Sequence, residues 1–181
     1  MDYFKNLLQL LLSPEAGWED VSGSMPRPAA LVRSGMLPLF AAAALSQLLA
    51  LAYDRYAAAD ATIIRAAGVF VSLLMAFFVG KAAFDWLLPS LTDGEVNKRK
   101  ADSVVVYTMG LMALACIVPA LLPVRLALNF ILPIGVALVA MKAAAYLRLR
   151  PGKGGLLFLL CLASMSMVTI LVQQLIDYTL K

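Results

Sequence analysis

Histidine is absent from the 181 residues, and cysteine occurs only at positions 116 and 161. Without imidazole, and with both thiols inside apolar runs, the chain offers neither zinc-ligand spacing nor a nucleophile beside a base. A disulfide between Cys116 and Cys161 stays open at this level. Charged residues are also scarce, at 14% against about 25% in ordinary soluble domains. The few acidic residues fall mostly in loops that also carry their counter-charges, which leaves paired-carboxylate chemistry without a setting. The expectation is a protein that is not an enzyme and carries no cofactor or metal.

What the chain has in abundance is apolar length. Hydrophobic residues make up 62% of it and mean hydropathy is +0.87, too apolar for one soluble core of this size. Five runs approach the roughly 20 residues that match a hydrocarbon layer about 30 Å thick. They lie at about 34–53, 66–88, 103–122, 126–146 and 156–176. The expected fold class is all-α: a polytopic integral membrane protein with five transmembrane helices and an N-terminal interfacial amphipathic helix. Residues 1–33 form a cytoplasmic segment and residues 34–181 the five-span domain. Pro123–Arg125 reads as a tight hairpin between the third and fourth spans.

Asp2–Leu12 has Tyr3, Phe4, Leu7, Leu8, Leu10, Leu11 and Leu12 around Lys5, Asn6 and Gln9, the pattern of a helix with one apolar face lying in the interface. The run is too short for a signal peptide and lacks a small-residue cleavage site, so it is expected to be retained. Ser13, Pro14 and Glu15 then start a second helix, as N-cap, first helical residue and acid at the positive end. Gly23–Pro28 reads as a linker.

Alternation of Lys and Arg across five spans gives the direction. Lys5, Arg27, Arg33, Lys98, Arg99, Lys100, Lys142, Arg148, Arg150 and Lys153 share one side, while Arg55, Arg65, Arg125 and Lys181 share the other. That excess in short loops places the N-terminus in the cytoplasm and the C-terminus outside. Basic residues scattered between apolar runs serve orientation, and no nucleic-acid partner is expected.

Lys81 and Asp85 are four residues apart and share a helical face. A charge at membrane depth is expensive and, where present, faces a bundle interior or an aqueous path. With Asn129 they form the candidate intramembrane polar site, the basis of an alternative reading as a small transporter or channel. Against this, Lys81 near the span's end can snorkel to the headgroups while Trp86 anchors the interface. Gln47 and Tyr107 are expected to hydrogen-bond between helices or to backbone freed at Pro119 and Pro133. Gly68, Gly80, Gly110 and Gly135 allow close helix approach, and the methionines fill space. Gly152–Gly155 lacks the spacing and flanking strand of a phosphate loop. Trp18, Lys98, Arg99, Lys100, Arg148, Arg150 and Lys153 are candidate contacts to the membrane surface or a partner.

Three segments together resemble the Yip1 family of small polytopic proteins, in its prokaryotic branch. They are Leu-Ser-Pro-Glu-Ala-Gly-Trp-Glu-Asp-Val at Leu12–Val21, the start of the first span at Gly35-Met36-Leu37-Pro38-Leu39, and Leu91-Thr92-Asp93-Gly94 through Ala101, with Pro119 later. The resemblance spans nearly the whole chain and implies five crossings with a cytoplasmic N-terminus. Eukaryotic members are linked to membrane traffic and Rab-class GTPases, often in complexes with related proteins. The 33 or so residues before the first span are shorter than the partner-binding region of those members. The resemblance therefore implies a non-enzymatic scaffold or organiser in a bacterial inner membrane. Its partners would be the lipid bilayer and other membrane proteins, or further copies of itself.

Overall fold

Two prolines mark where helices begin. Pro14 and Pro28 each open one, where a missing N–H costs nothing and φ is already helical. The computed structural model describes residues 2–24, 27–53, 58–92, 94, 97–122 and 128–179, excluding the side chains at 2, 24, 129, 130 and 177. The Pro123–Arg125 hairpin therefore lies outside the described residues, as do Arg55, Lys181 and the side chain of Asn129.

Everything of any length is helical. Helix α1 is Asp2–Leu12 and α2 is Pro14–Ser24; α3 is Pro28–Tyr53, α4 is Ala59–Leu91 and α5 is Lys98–Leu121. Helix α6 is Leu128–Met141, closing through a 3₁₀ turn at Lys142–Ala144. Helix α7 comprises Gly154–Cys161, a π turn at Leu162–Met167, and Val168–Thr179. Among the described residues no strand forms. A single antiparallel bridge joins Thr92 to Leu149, and Arg150 N–H donates to the Leu91 carbonyl at 2.9 Å.

Helices α3, α4, α5 and α7 are long and apolar enough to cross a bilayer. Helix α6 is shorter: its apolar stretch is Ile131–Ala144, and Tyr146 falls in the turn beyond it rather than in a span. The expected linker at Gly23–Pro28 is also shorter than the sequence implied, because α2 continues to Ser24 and α3 begins at Pro28, six residues before the expected span. Helix α4 is about 50 Å long at 1.5 Å per residue, so its 33 residues exceed the hydrocarbon layer. It runs unbroken through Lys81 and Asp85.

Helix α5 is the hub. Asn97 caps it, its side-chain oxygen accepting from the N–H groups of Arg99 and Lys100 at 3.1 and 3.3 Å. From Ser103 to Ala113 every residue is buried, so all of its faces meet protein there. Helix α4 buries a stripe at Ala66, Val69, Leu73, Ala76, Gly80, Phe84 and Leu88, a three-to-four spacing that keeps one side turned to its neighbours. Its other side carries Val71, Met75, Phe78 and Val79 outward, the polarity expected of a helix whose solvent is lipid.

Helix α1 is two-faced in a way its composition hid. Tyr3, Asn6, Leu7 and Leu10 are buried, whereas Phe4, Leu8, Leu11 and Leu12 are exposed. Its polar Asn6 thus points into the protein and a stripe of leucines points out. Tyr3 lies against Gly35 and Gly110, where any Cβ would collide with its ring or hydroxyl. Gly35 belongs to a π turn at Val32–Met36, two residues before Pro38, whose absent N–H leaves the regular ladder interrupted. Helices α1 and α2 cross closely at Gly17, which touches the Leu10 backbone.

Candidate functional site

Three polar groupings stand at separate levels of the bundle. The first gathers on Lys81. Its ammonium lies 3.4 Å from Asp85 and forms a shorter ion pair and hydrogen bond with Asp102 of α5. The i, i+4 spacing therefore found one partner, and the stronger one comes from another helix. Side-chain exposures of 40% for Lys81, 48% for Asp85 and 30% for Asp102 put the cluster at the bundle's outer surface. Charge on a rim that wet stabilises little. Trp86, one residue beyond Asp85, is 80% exposed, as an interfacial anchor would be.

The second grouping is an aromatic junction where α1 and α2 dock on α5 and α6. The Tyr3 and Tyr107 rings stack at 5.2 Å, Trp18 stacks on Tyr146 at 5.8 Å, and Trp18 meets Tyr107 edge-on at 6.3 Å. Asn6 Nδ2 donates to the Tyr107 hydroxyl at 3.1 Å, and Trp18 Nε1 donates to the Val139 carbonyl at 3.0 Å. Tyr3 donates to the Val106 carbonyl at 3.4 Å. Burial pushes the Tyr3 phenol well above its ordinary 10.0, with Tyr107 adding to the shift, so it remains a donor at any working pH. Trp18 is only 2% exposed. It is accordingly a buried strut rather than a contact to the membrane surface, because its ring and N–H are both already used.

The basic residues divide likewise. Lys98, Arg99, Arg148 and Arg150 are exposed and Lys153 is half-buried. Lys100 folds back instead, its Nζ 4.7 Å from the centre of the Tyr146 ring and 3.4 Å from the Tyr146 carbonyl. The Thr92–Leu149 bridge draws the loops after α4 and α6 together, so these cations collect at one end with the aromatic junction. At that end Lys142 pairs with Glu15 at 2.8 Å, tying α2 to the close of α6. The hydrogen bond from Lys142, and then its charge, hold the Glu15 carboxyl below its ordinary 4.5.

The third grouping lies at the opposite end. A cavity of about 650 Å³ opens between α3, α4, α5, α6 and α7, with Gln47, Arg65, Thr169, Gln173 and Gln174 on its walls. Arg65 is sixteen residues from Lys81, about 24 Å along α4. Neither Lys81 nor Asp85 lines this cavity, and the side chain of Asn129 lies outside the described residues. Lys81 and Asp85, expected from sequence to share a polar site with Asn129, therefore do not enclose the space. Gln173 and Gln174 were missed because two amides in a strongly apolar run read as incidental. Cys116 sits on the cavity wall and Cys161 is buried elsewhere, both as free thiols.

Fold and site together define a class: an all-helical protein with membrane-spanning character, bearing a basic aromatic end and a polar cavity at the other. Comparisons with protein families, curated proteins and solved structures find no match. The Yip1 resemblance accordingly rests on the segments at Leu12–Val21, Gly35–Leu39 and Leu91–Ala101 alone.

Proposed function

We propose that this is a non-enzymatic membrane scaffold of the Yip1 kind, crossing a bacterial inner membrane five times with the basic end in the cytoplasm. Its outward helix faces would bind other membrane proteins or further copies of the chain. The observation that carries the reading is the sealed middle of the bundle. In the middle of the bundle Phe40, Leu73, Tyr107 and Met109 are each fully buried. A packed layer of that kind suits a body that holds shape and presents surfaces.

At the cytoplasmic end Lys98, Arg99, Arg148 and Arg150 face outward beside the leucine stripe of α1. Near an anionic leaflet each basic residue contributes about 1 kcal/mol, and the outward Phe4, Leu8 and Leu11 of α1 offer apolar area to lipid. In this picture α6, the shortest apolar helix, completes the fifth crossing with help from the unequal lengths of its neighbours.

Two measurements test the scaffold. The double variant Lys81→Ala with Asp85→Ala is expected to insert and purify as wild type, with a stability loss of about 1 kcal/mol or less. Photo-reactive residues placed at Phe78 and Leu171, on outward faces of α4 and α7, are expected to yield discrete protein-sized adducts in intact membranes. Adducts to lipid alone at both positions would sink the scaffold reading.

A further inference from the structure

We propose that the cavity at the end opposite the aromatic junction binds an amphipathic anion, a phosphate or carboxylate head on an apolar chain. Its volume of about 650 Å³ falls within the range of small-molecule sites. Donors from Arg65, Gln173 and Gln174 share its walls with the apolar Val69, Met112, Ile170 and Ile176, so a bound molecule meets both within one cavity.

The amide donors are held in reserve. Gln173 Nε2 rests on the Cys116 sulfur at 3.8 Å, and Gln47 Nε2 reaches the Ala43 carbonyl and Ser46 hydroxyl only at 3.4 and 3.5 Å. A thiol is a weak acceptor, and the other two contacts are long for N–H···O bonds. An anionic oxygen would replace them with shorter, charge-assisted bonds. Arg65 brings the cation. A guanidinium has five N–H donors, so it can keep an existing contact and still present a pair to a planar or tetrahedral oxyanion. Among the described lining residues Arg65 is the charged one.

The probe is dodecyl phosphate, added to the purified full chain in the neutral detergent dodecyl maltoside, with complexes counted by native mass spectrometry. The expected result is one saturable equivalent, weakened about tenfold or more by Arg65→Gln and by Gln173→Leu. Ala115→Phe, which fills the cavity without removing a polar group, is expected to block it. Arg148→Gln at the basic end should leave it within twofold. Inorganic phosphate, run in parallel, separates the sources: binding as tight as that of dodecyl phosphate would show that the apolar chain contributes nothing and overturn the amphiphile. No saturable binding, or equal losses in Arg148→Gln and the cavity variants, would overturn the site itself.

Discussion

Single side chains on α5 show how a helical stretch buried on every face handles polarity. Ser103 donates to the Arg99 carbonyl at 2.8 Å, the back-bonding that lets a hydroxyl sit among apolar neighbours. Thr108 does not: its Oγ1 is buried and has no hydrogen-bond partner among the described residues. An unpaired buried hydroxyl costs free energy that an isosteric methyl does not. Thr108→Val is therefore expected to stabilise the fold by about 1 kcal/mol, measured as a raised midpoint of thermal unfolding in detergent. A lowered midpoint would mean that Thr108 has a partner. Asp102 is the opposite lesson. An acid at the entrance to an apolar run was visible as such, but only the packing of α5 beside α4 aims it at Lys81. Sequence spacing reports neighbours on one helix and is silent about charges brought together from two.

Among elements, α1 departs most from what its composition implied. An amphipathic reading puts its leucines in lipid and its polar residues in water, yet Asn6 is buried against Tyr107 and Tyr3 lies between two helices. Gly110 is twelve residues beyond Lys98, about 18 Å along α5, so α1 is sunk into the bundle instead of resting on it. The pocket for Tyr3 exists because Gly35 and Gly110 lack side chains, whereas sequence reading assigned Gly110 to helix–helix approach. Gly110→Ala is expected to cost about 2 kcal/mol by overpacking against Tyr3. In a Tyr3→Ala background the same substitution should cost little, and a double-mutant cycle that is simply additive would rule out the contact.

The hold of α2 on α6 carries a pH signature through Glu15. Its carboxyl is depressed below 4.5 in the folded protein, so the stabilisation is fully present above that ordinary value and is lost as pH falls through the lower folded one. In a Trp86→Phe protein, Trp18 is the remaining tryptophan and reports on α2. Its emission is expected to stay constant from neutral pH down toward 4.5 and to change only slightly on further acidification, because the pair is exposed. Lys142→Met should abolish the acid-side change that depends on this pair.

For the whole molecule, the number of crossings decides which surfaces meet which compartment. Four helices have the length and hydropathy to span, and α6 is the short fifth. A periplasm-active reporter fused after Lys181 is expected to be active, and a cytoplasm-active one silent, if α6 crosses. The reverse result would leave four crossings and return both ends to one side. The positive-inside count supports five, because losing α6 would separate Lys98–Lys100 from Arg148 and Arg150, which the Thr92–Leu149 bridge holds at one end.

The apolar runs, their helical state and their approximate bounds follow from sequence because membrane solvation acts on each segment separately. A run of sufficient length and hydropathy is helical whatever its neighbours do, since its backbone must satisfy its own hydrogen bonds. The same independence made the charge asymmetry legible. What packs against what is a property of pairs, and it emerged only in three dimensions. Trp18, read as a contact to the membrane surface or a partner, packs between Tyr107 and Tyr146. Lys81 acquired Asp102, and the polar cavity formed from amides and Arg65 on three helices that no spacing connects. Inside a bilayer, lipid is as apolar as a leucine side chain, so hydrophobicity alone cannot choose among packings. Glycine gaps, aromatic stacking and buried hydrogen bonds make that choice, and each depends on two surfaces meeting.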